Sequence, residues 1–313
     1  MKRKKHSEKA DLGYIDPKHF GVSFSLKQCR ALDINPRHTL EWLINDMGFR
    51  RFRLMSYWNE HEKEPGQYDF RTLDAQIAIV EKAGGIVTLC LGARQPRWPE
   101  NHWPDWAWEA PKAERTEALL KYIRKVVDRY KDKKVIVSWQ LENEALLKKF
   151  GKRAEVDRKR LRREFRLVAQ LDPKRPIIMT TSNGWGVPMR RPIPDKVGFS
   201  YYPIMFQDNR YVTTVQKPWL HRFRKRTIRI IWRRRTFIHE LQLEPWGPTA
   251  IWKMPLREQD KSMSVEQIAK NIRMARKIKA APIDLWGAEW WYWRLKKHND
   301  PTIWQAVRAA LNK

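Results

Sequence analysis

Val135 to Glu144, VIVSWQLENE, is the stretch whose reading decides the fold. It opens apolar and turns polar only toward its C-terminal end, the pattern of a buried β-strand that delivers carboxylates at its mouth. Alternate side chains of a strand share a face, so Ser138, Gln140, Glu142 and Glu144 are expected on one side and Val137, Trp139, Leu141 and Asn143 on the other. Acids in so apolar a setting are costly unless they are paired or put to use. A second stretch repeats the pattern. Thr236 to Trp246, TFIHELQLEPW, reads as a short strand ending in Glu240, with His239 alternating away from it as a packed residue.

Working outward from these two stretches, strand and helix patterns alternate along the chain. Strands are expected at Phe20–Ser25, Arg50–Tyr57, Ile86–Gly92, the opening stretch, Pro176–Ser182, Val197–Pro203, the Glu240 stretch and Asp284–Trp293. Helices are expected at Arg37–Gly48, Phe70–Ala83, Lys112–Tyr130, Glu155–Leu171, Val265–Ala280 and Thr302–Leu311, with a basic one around Trp219–Ile231. Eight such units match a single (β/α)8 barrel, an α/β fold that routinely takes 250 or more residues as one domain. Polar and aromatic groups collect at the C-terminal strand ends (Arg53, Glu144, Tyr202, Glu240, Trp290), where barrels of this kind place their chemistry. No GxGxxG or GxxxxGK[ST] loop occurs, which argues against a nucleotide-binding open sheet. The domain reading is a basic, mobile lead-in over residues 1–19 and a barrel over residues 20–313.

Composition adds a sugar-like signal and a charge. Seventeen Trp supply flat apolar faces suited to sugar rings as well as to a core. Lys and Arg number 64 against 35 Asp and Glu, a formal +29, which attracts polyanions in general. That charge runs along the whole chain, so specific nucleic-acid binding is not expected. Cys29 and Cys90 fall in no metal-type spacing, and their pairing stays open. The opening MKRKKHSEKADLGY has no apolar segment behind it and no run of 18 apolar residues occurs, so a soluble protein without signal peptide or membrane span is expected.

Two carboxylates on separate strand ends are the minimum equipment for hydrolysing a glycosidic bond. With that chemistry in view, the chain resembles the clan A glycoside hydrolases, retaining enzymes on a (β/α)8 barrel, over about residues 20 to 311. The clan's mark is an Asn-Glu pair ending the fourth strand and a lone Glu ending the seventh, matched by Asn143-Glu144 and Glu240. WQLENE is similar to the WQxxNE of its β-galactosidase branches, as are RFRLMSYW and the following YDF. The resemblance implies Glu144 as general acid/base and Glu240 as nucleophile. It further implies Asn143 as a partner of the hydroxyl beside the reacting carbon and Arg53 as the residue keeping the nucleophile charged. Tyr202, with Tyr201 as second choice, matches the donor to the nucleophile. Trp290, with Trp286 two residues before it, is the candidate platform under the sugar, and Trp98 and Trp246 are further candidates for the substrate cleft. Glu142 and Glu244 remain alternatives for the two acids.

The implied reaction is double displacement on a β-glycoside, with no metal or organic cofactor and an oligo- or polysaccharide as partner. Its carboxyl groups would lie about 5 to 5.5 Å apart, against about 6.5 to 9.5 Å for inversion. The alternative is a carbohydrate- or polyanion-binding barrel without catalysis. A histidine common after strand three in parts of the clan has no counterpart in LGARQPRW, where Arg94, Gln95 and Arg97 stand instead and suggest an acidic substrate. Trp98, Trp103, Trp106 and Trp108 either line the cleft or staple their loop. The helix WLHRFRKRTIRIIWRRR is expected to pack as an ordinary barrel helix, with Trp219, Leu220, Phe223, Ile230 and Ile231 on one face, or alternatively to contact an anionic surface.

Overall fold

Strand-forming stretches become β1 (Phe20–Phe24), β2 (Arg51–Met55), β3 (Ile86–Leu91), β4 (Ile136–Leu141), β5 (Ile177–Thr181), β6 (Lys196–Tyr201), β7 (Ile204–Gln207), β8 (Arg210–Thr213), β9 (Arg235–Gln242) and β10 (Ile283–Trp286). The computed structural model describes residues 13–147, 150–182 and 192–312. All strands but β7 and β8 close a parallel barrel in the order β1-β10-β9-β6-β5-β4-β3-β2. This is the (β/α)8 barrel that the alternation predicts. Both cysteines are buried and free.

The pleat sorts the side chains. Phe52, Leu54, Val87, Leu89, Leu91, Trp139 and Leu141 are buried in the apolar core. Inward positions are polar instead: Arg51 pairs with Asp284 at 3.0 Å and reaches Thr88 Oγ1, which bonds Ser138 Oγ at 2.8 Å. A polar barrel interior forces pairing, since an unpaired buried charge would cost several kcal/mol, of order 3–5. Helices follow from local signals. In Pro36–Asn45 the Asn35 side chain accepts from His38 N at 3.1 Å, Pro36 opens the helix, and Leu40, Leu43 and Ile44 go into the core. Each such side chain removed from water contributes about 1.5–3 kcal/mol.

Three expectations change. The eighth barrel strand is only Ile283–Trp286; Gly287, at φ +120°, turns the chain into a helix, Ala288–His298, whose first seven residues are all buried. Second, β7 and β8 form an antiparallel hairpin after β6, joined by Asp208 and Asn209, both in the left-handed region as a tight hairpin turn requires. Third, the helix Pro218–Trp232 buries His221, Arg224 and Ile228, while Trp219, Phe223, Ile230 and Ile231 are exposed. The expected apolar face therefore does not pack on the barrel, and Ile228 is the large apolar residue that does.

Residues 1–12 of the lead-in lie outside the described residues, as do 183–191, which hold most of the SNGWG turn. Ile15, in the remainder of the lead-in, is buried and its N–H donates to the Gly48 carbonyl at 2.9 Å.

Candidate active site

The end of β4 does not follow strand alternation. Glu142 and Glu144 both adopt left-handed backbone, with φ of 49° and 45°. Non-glycine residues hold such conformations only where surrounding structure over-determines them. The consequence is a parting of the two acids. Glu142 turns under the loop after β3, accepting from Ala93 N at 3.1 Å and Arg94 N at 2.5 Å, with Arg160 3.8 Å away. It is a fastening for that loop and does not share a face with Glu144. Asn143 and Glu144, though adjacent in sequence, both line the same cavity.

The end of β9 is irregular too. Between Phe199↔Ile238 and Ser200↔Glu240 the register slips by one residue, leaving His239 as the extra residue of a bulge. His239 therefore does not alternate away from Glu240; its Nε2 lies 3.5 Å from Glu240 Oε1. Burial, and then the nearby Arg53 cation, push its pKa well below the ordinary value, so it is a neutral packed imidazole.

Around Glu240 the partners are specific. Arg53 Nη2 donates to Oε1 at 2.7 Å and Tyr202 Oη donates to Oε2 at 2.9 Å. Arg53 is anchored by the His239 carbonyl at 2.6 Å and also approaches Asn143 Oδ1 at 3.4 Å. Burial disfavours the Arg53 cation, but the surrounding acidic groups, Glu240 foremost and Asp284 among them, together outweigh it and the guanidinium pKa lies above its ordinary value. Glu144 is held differently: Thr180 Oγ1 takes its backbone N–H at 2.8 Å, and Ser200 Oγ donates to Oε1 at 2.5 Å. Burial first, and the Glu240 charge second, push Glu144 up to about 7. One acid with a cation and a phenol, the other desolvated, is the division of labour that a proton donor and a charged nucleophile need.

Glu144, His239 and Glu240 each present one atom within 4.8 Å of the others. One carboxylate oxygen of Glu144 thus lies within 4.8 Å of one of Glu240. The same three atoms are of metal-ligating type, but the Arg53 guanidinium already occupies Glu240 Oε1, where a cation would sit.

The cavity measures about 840 Å³, ample for several sugar units, and is lined by Trp98, Trp246 and Trp286 among others. Trp98 is 63% exposed at its rim. Trp246 sits edge-on to Tyr202, with ring centroids 5.7 Å apart. Trp286 is fixed by Nε1 donating to Glu244 Oε1 at 2.7 Å and by the Arg97 guanidinium 4.0 Å over its ring. Two candidates lie elsewhere. Trp290, on the helix after β10, is fully buried and donates to Gln259 Oε1 at 2.6 Å, away from the cavity. Tyr201 takes the outward pleat of β6, donating to the Gln216 carbonyl at 3.1 Å and packing on His221.

The arginines after β3 are not free for an acidic substrate. Arg97 donates to both Glu244 (2.5 Å) and Glu289 (2.7 Å), and Arg94 to the carbonyls of Leu147 and Phe150. This removes the motive for expecting one. Glu244 is thereby a wall residue of the cavity, engaged by Arg97 and Trp286. Of the loop tryptophans, Trp98 lines the cavity, whereas Trp103 and Trp106 pack on Trp58 and Trp108 on Trp103.

Sequence reading passed over Glu100. It lines the cavity, accepts from Asn143 Nδ2 at 3.2 Å, and is pushed up to about 8 by burial and then by the Glu240 and Glu144 charges. An acid in the Pro- and Trp-rich loop was the available signal. The β7–β8 hairpin was also missed, although Asp208-Asn209 between IMFQ and RYVT marks it. Gln242 at the end of β9 brackets Ile204, accepting from its N–H at 3.2 Å and donating to its carbonyl at 2.8 Å, and so holds the hairpin at the cavity wall.

Residues 42–173 match the family model described as β-galactosidase, glycoside hydrolase family 42. That match covers less than half of the chain, whose fold is a closed (β/α)8 barrel. Beta-galactosidase 14 of Arabidopsis thaliana is 31% identical over 118 residues, which are 31% of this chain and 13% of that protein. The barrel thus spans about an eighth of the length of the curated relative it matches. Among solved structures, a family 5, subfamily 18 protein of Streptomyces cattleya in complex with GlcNAc superposes with a TM-score of 0.66 at 13% identity, covering 94% of this chain and 79% of that one. A glycosylated endo-β-1,4-xylanase of glycoside hydrolase family 10 from Gloeophyllum trabeum gives 0.63 at 13% identity, over 96% and 98% of the two chains. At such identities these two show the shared barrel.

Proposed function

We propose that the chain is a retaining β-glycosidase that works through Glu144 and Glu240. The observation that carries this reading is the pair itself: two buried glutamates lining one cavity with an oxygen of each within 4.8 Å of the other, one ion-paired to Arg53 and one raised to about 7. Such closeness favours retention, because inversion needs room for a water between the acids. Glu240 attacks the anomeric carbon while Glu144 gives its proton to the departing glycosidic oxygen, leaving a glycosyl ester on Glu240. Glu144, now ionised, takes a proton from water, whose oxygen displaces Glu240 and releases the sugar with its configuration retained. Asn143 is placed to bond the hydroxyl next to the reacting carbon, Tyr202 and Arg53 position the nucleophile, and Trp286 offers the apolar platform.

The substrate is an oligo- or polysaccharide, consistent with sugar complexes of the fold neighbours. A β-galactoside is the first to try, from the family description and the name of the Arabidopsis protein, followed by β-mannosides and β-xylosides from the names of the neighbours. Among the described residues no helix is long and apolar enough to cross a membrane.

The test is a panel of aryl β-glycosides against wild type and two variants. Glu240→Gln is expected to lower kcat by about 10⁴-fold or more. Glu144→Ala is expected to lose most activity on alkyl glycosides yet keep a larger share on aryl glycosides whose leaving group needs no acid. Wild-type rates in both variants would refute the assignment of these two residues, and a wild-type protein that turns over nothing in the panel would leave the non-catalytic binding barrel.

A further inference from the structure

The helix Pro218–Trp232 covers its barrel strands with an unusual face. His221, Arg224 and Ile228 are the buried residues, and Lys225 reaches the backbone carbonyl of Lys279, which fixes the side turned to the neighbouring helix Val265–Ile278. At 3.6 residues per turn, Trp219, Phe223 and Ile230 fall on one stripe opposite the buried residues. Trp219 is 60% exposed and Ile230 66% exposed, with Ile231 at the stripe's edge 62% exposed. Arg222, Arg226 and Arg229 lie along one side of the stripe and are exposed too. From Asn209 to His239 the chain carries ten Lys and Arg residues and no Asp or Glu.

We propose that this outward face is a docking surface for an anionic lipid bilayer. Trp219 and Ile230 enter the interface at headgroup depth, and the flanking arginines lie against lipid phosphates. Indole and aliphatic side chains on one stripe, with a row of cations beside it, are what an interfacial helix presents to such a surface. The charge pattern selects the occupant. A second copy would bring the same acid-free basic face to itself, and two +29 chains repel. A nucleic acid would satisfy the arginines but has no apolar layer to receive Ile230. The helix lies along the barrel wall, so a docked molecule has its barrel axis along the membrane and its cavity opening parallel to it.

The experiment is co-sedimentation of the full chain with vesicles of phosphatidylcholine alone and with about 30 mol % phosphatidylglycerol, at about 0.15 M salt. Pelleting with the anionic vesicles and not the neutral ones is expected. Trp219→Ser with Ile230→Ser is expected to weaken partitioning about tenfold or more while leaving the thermal midpoint nearly unchanged, since both residues are more exposed than buried. Three results would overturn the proposal: no pelleting with anionic vesicles, equal pelleting of the double variant, or a double variant that pellets normally and instead loses self-association or DNA retention. None of these outcomes depends on whether the cavity hydrolyses a glycoside.

Discussion

Glu144 has to be acid in one half of the proposed cycle and base in the other, so the pH at which it titrates governs the rate. Burial and the Glu240 charge raise it to about 7, and the Ser200 hydroxyl opposes them by donating to the ionised form. Because the proton must be present to be given, kcat/KM is expected to fall above pH 7, about tenfold per unit. Ser200→Ala removes a bond made to the carboxylate, so the proton is held more tightly and the alkaline limb moves up by roughly 0.5–1 unit. A pH-rate profile on an aryl glycoside reads both effects. An alkaline limb that stays in place in the Ser200→Ala variant would detach Glu144 from the donor role.

Between elements, the site hangs on the loop after β3 being fastened to the end of β4. Gly92 has φ +101°, and a Cβ there would sit 2.6 Å from the Glu142 carboxyl carbon, whose oxygens hold the next two backbone N–H groups. The Arg94 carbonyl in turn takes the Asn143 N–H at 2.6 Å, so a shift in this loop reaches the proposed catalytic pair. Gly92→Ala is expected to cost about 3 kcal/mol and at least tenfold in kcat, whereas Gly84→Ala, also at positive φ but with open space around it, costs about 1 kcal/mol and leaves kcat alone. Denaturant unfolding and steady-state kinetics on the two variants separate strain from steric conflict. The same region shows what was legible beforehand. The order of eight strands could be read because each is a bounded apolar run, and the two acids because they end such runs. The departure of Glu142 from the site could not, since it depends on left-handed backbone at a non-glycine residue that only tertiary contacts impose. WGAEWWYW misled for another reason: a stretch apolar on every side but for Glu289 has no period to separate a strand of four residues from the buried helix that follows Gly287. The helix Pro218–Trp232 reverses the usual rule that the larger apolar face is the packed one, and periodicity alone carries no sign for which face turns inward.

At the scale of the whole molecule, the barrel buries titratable groups of opposite tendency, and together they set where it is most stable. His61 is lowered to about 4 and His102 to about 3, both mainly by burial, and His239 also lies well below 6.5. As pH falls through 6.5 the unfolded chain takes up protons that these folded imidazoles refuse, so stability is lost on the acid side. Glu100 and Glu164 behave the other way, each raised from 4.5 to about 8, with burial the largest cause. The unfolded chain has released these protons by about pH 6 while the folded chain still holds them, so stability falls as pH rises toward 8. Below 6.5 the two tendencies oppose each other; above it only the carboxyl effect has a slope. The thermal midpoint is therefore expected to be highest near pH 6.5 and to decline to pH 8, each retained proton contributing about 1.4 kcal/mol per pH unit. Glu100→Gln keeps an acceptor for Asn143 but cannot titrate, and should make that decline shallower and the loss below pH 6.5 steeper. Midpoints that stay level or rise between pH 6.5 and 8 would mean that the buried carboxyls are ionised in the fold, and that Arg160 beside Glu164 and the amide beside Glu100 hold charges the barrel was taken to exclude.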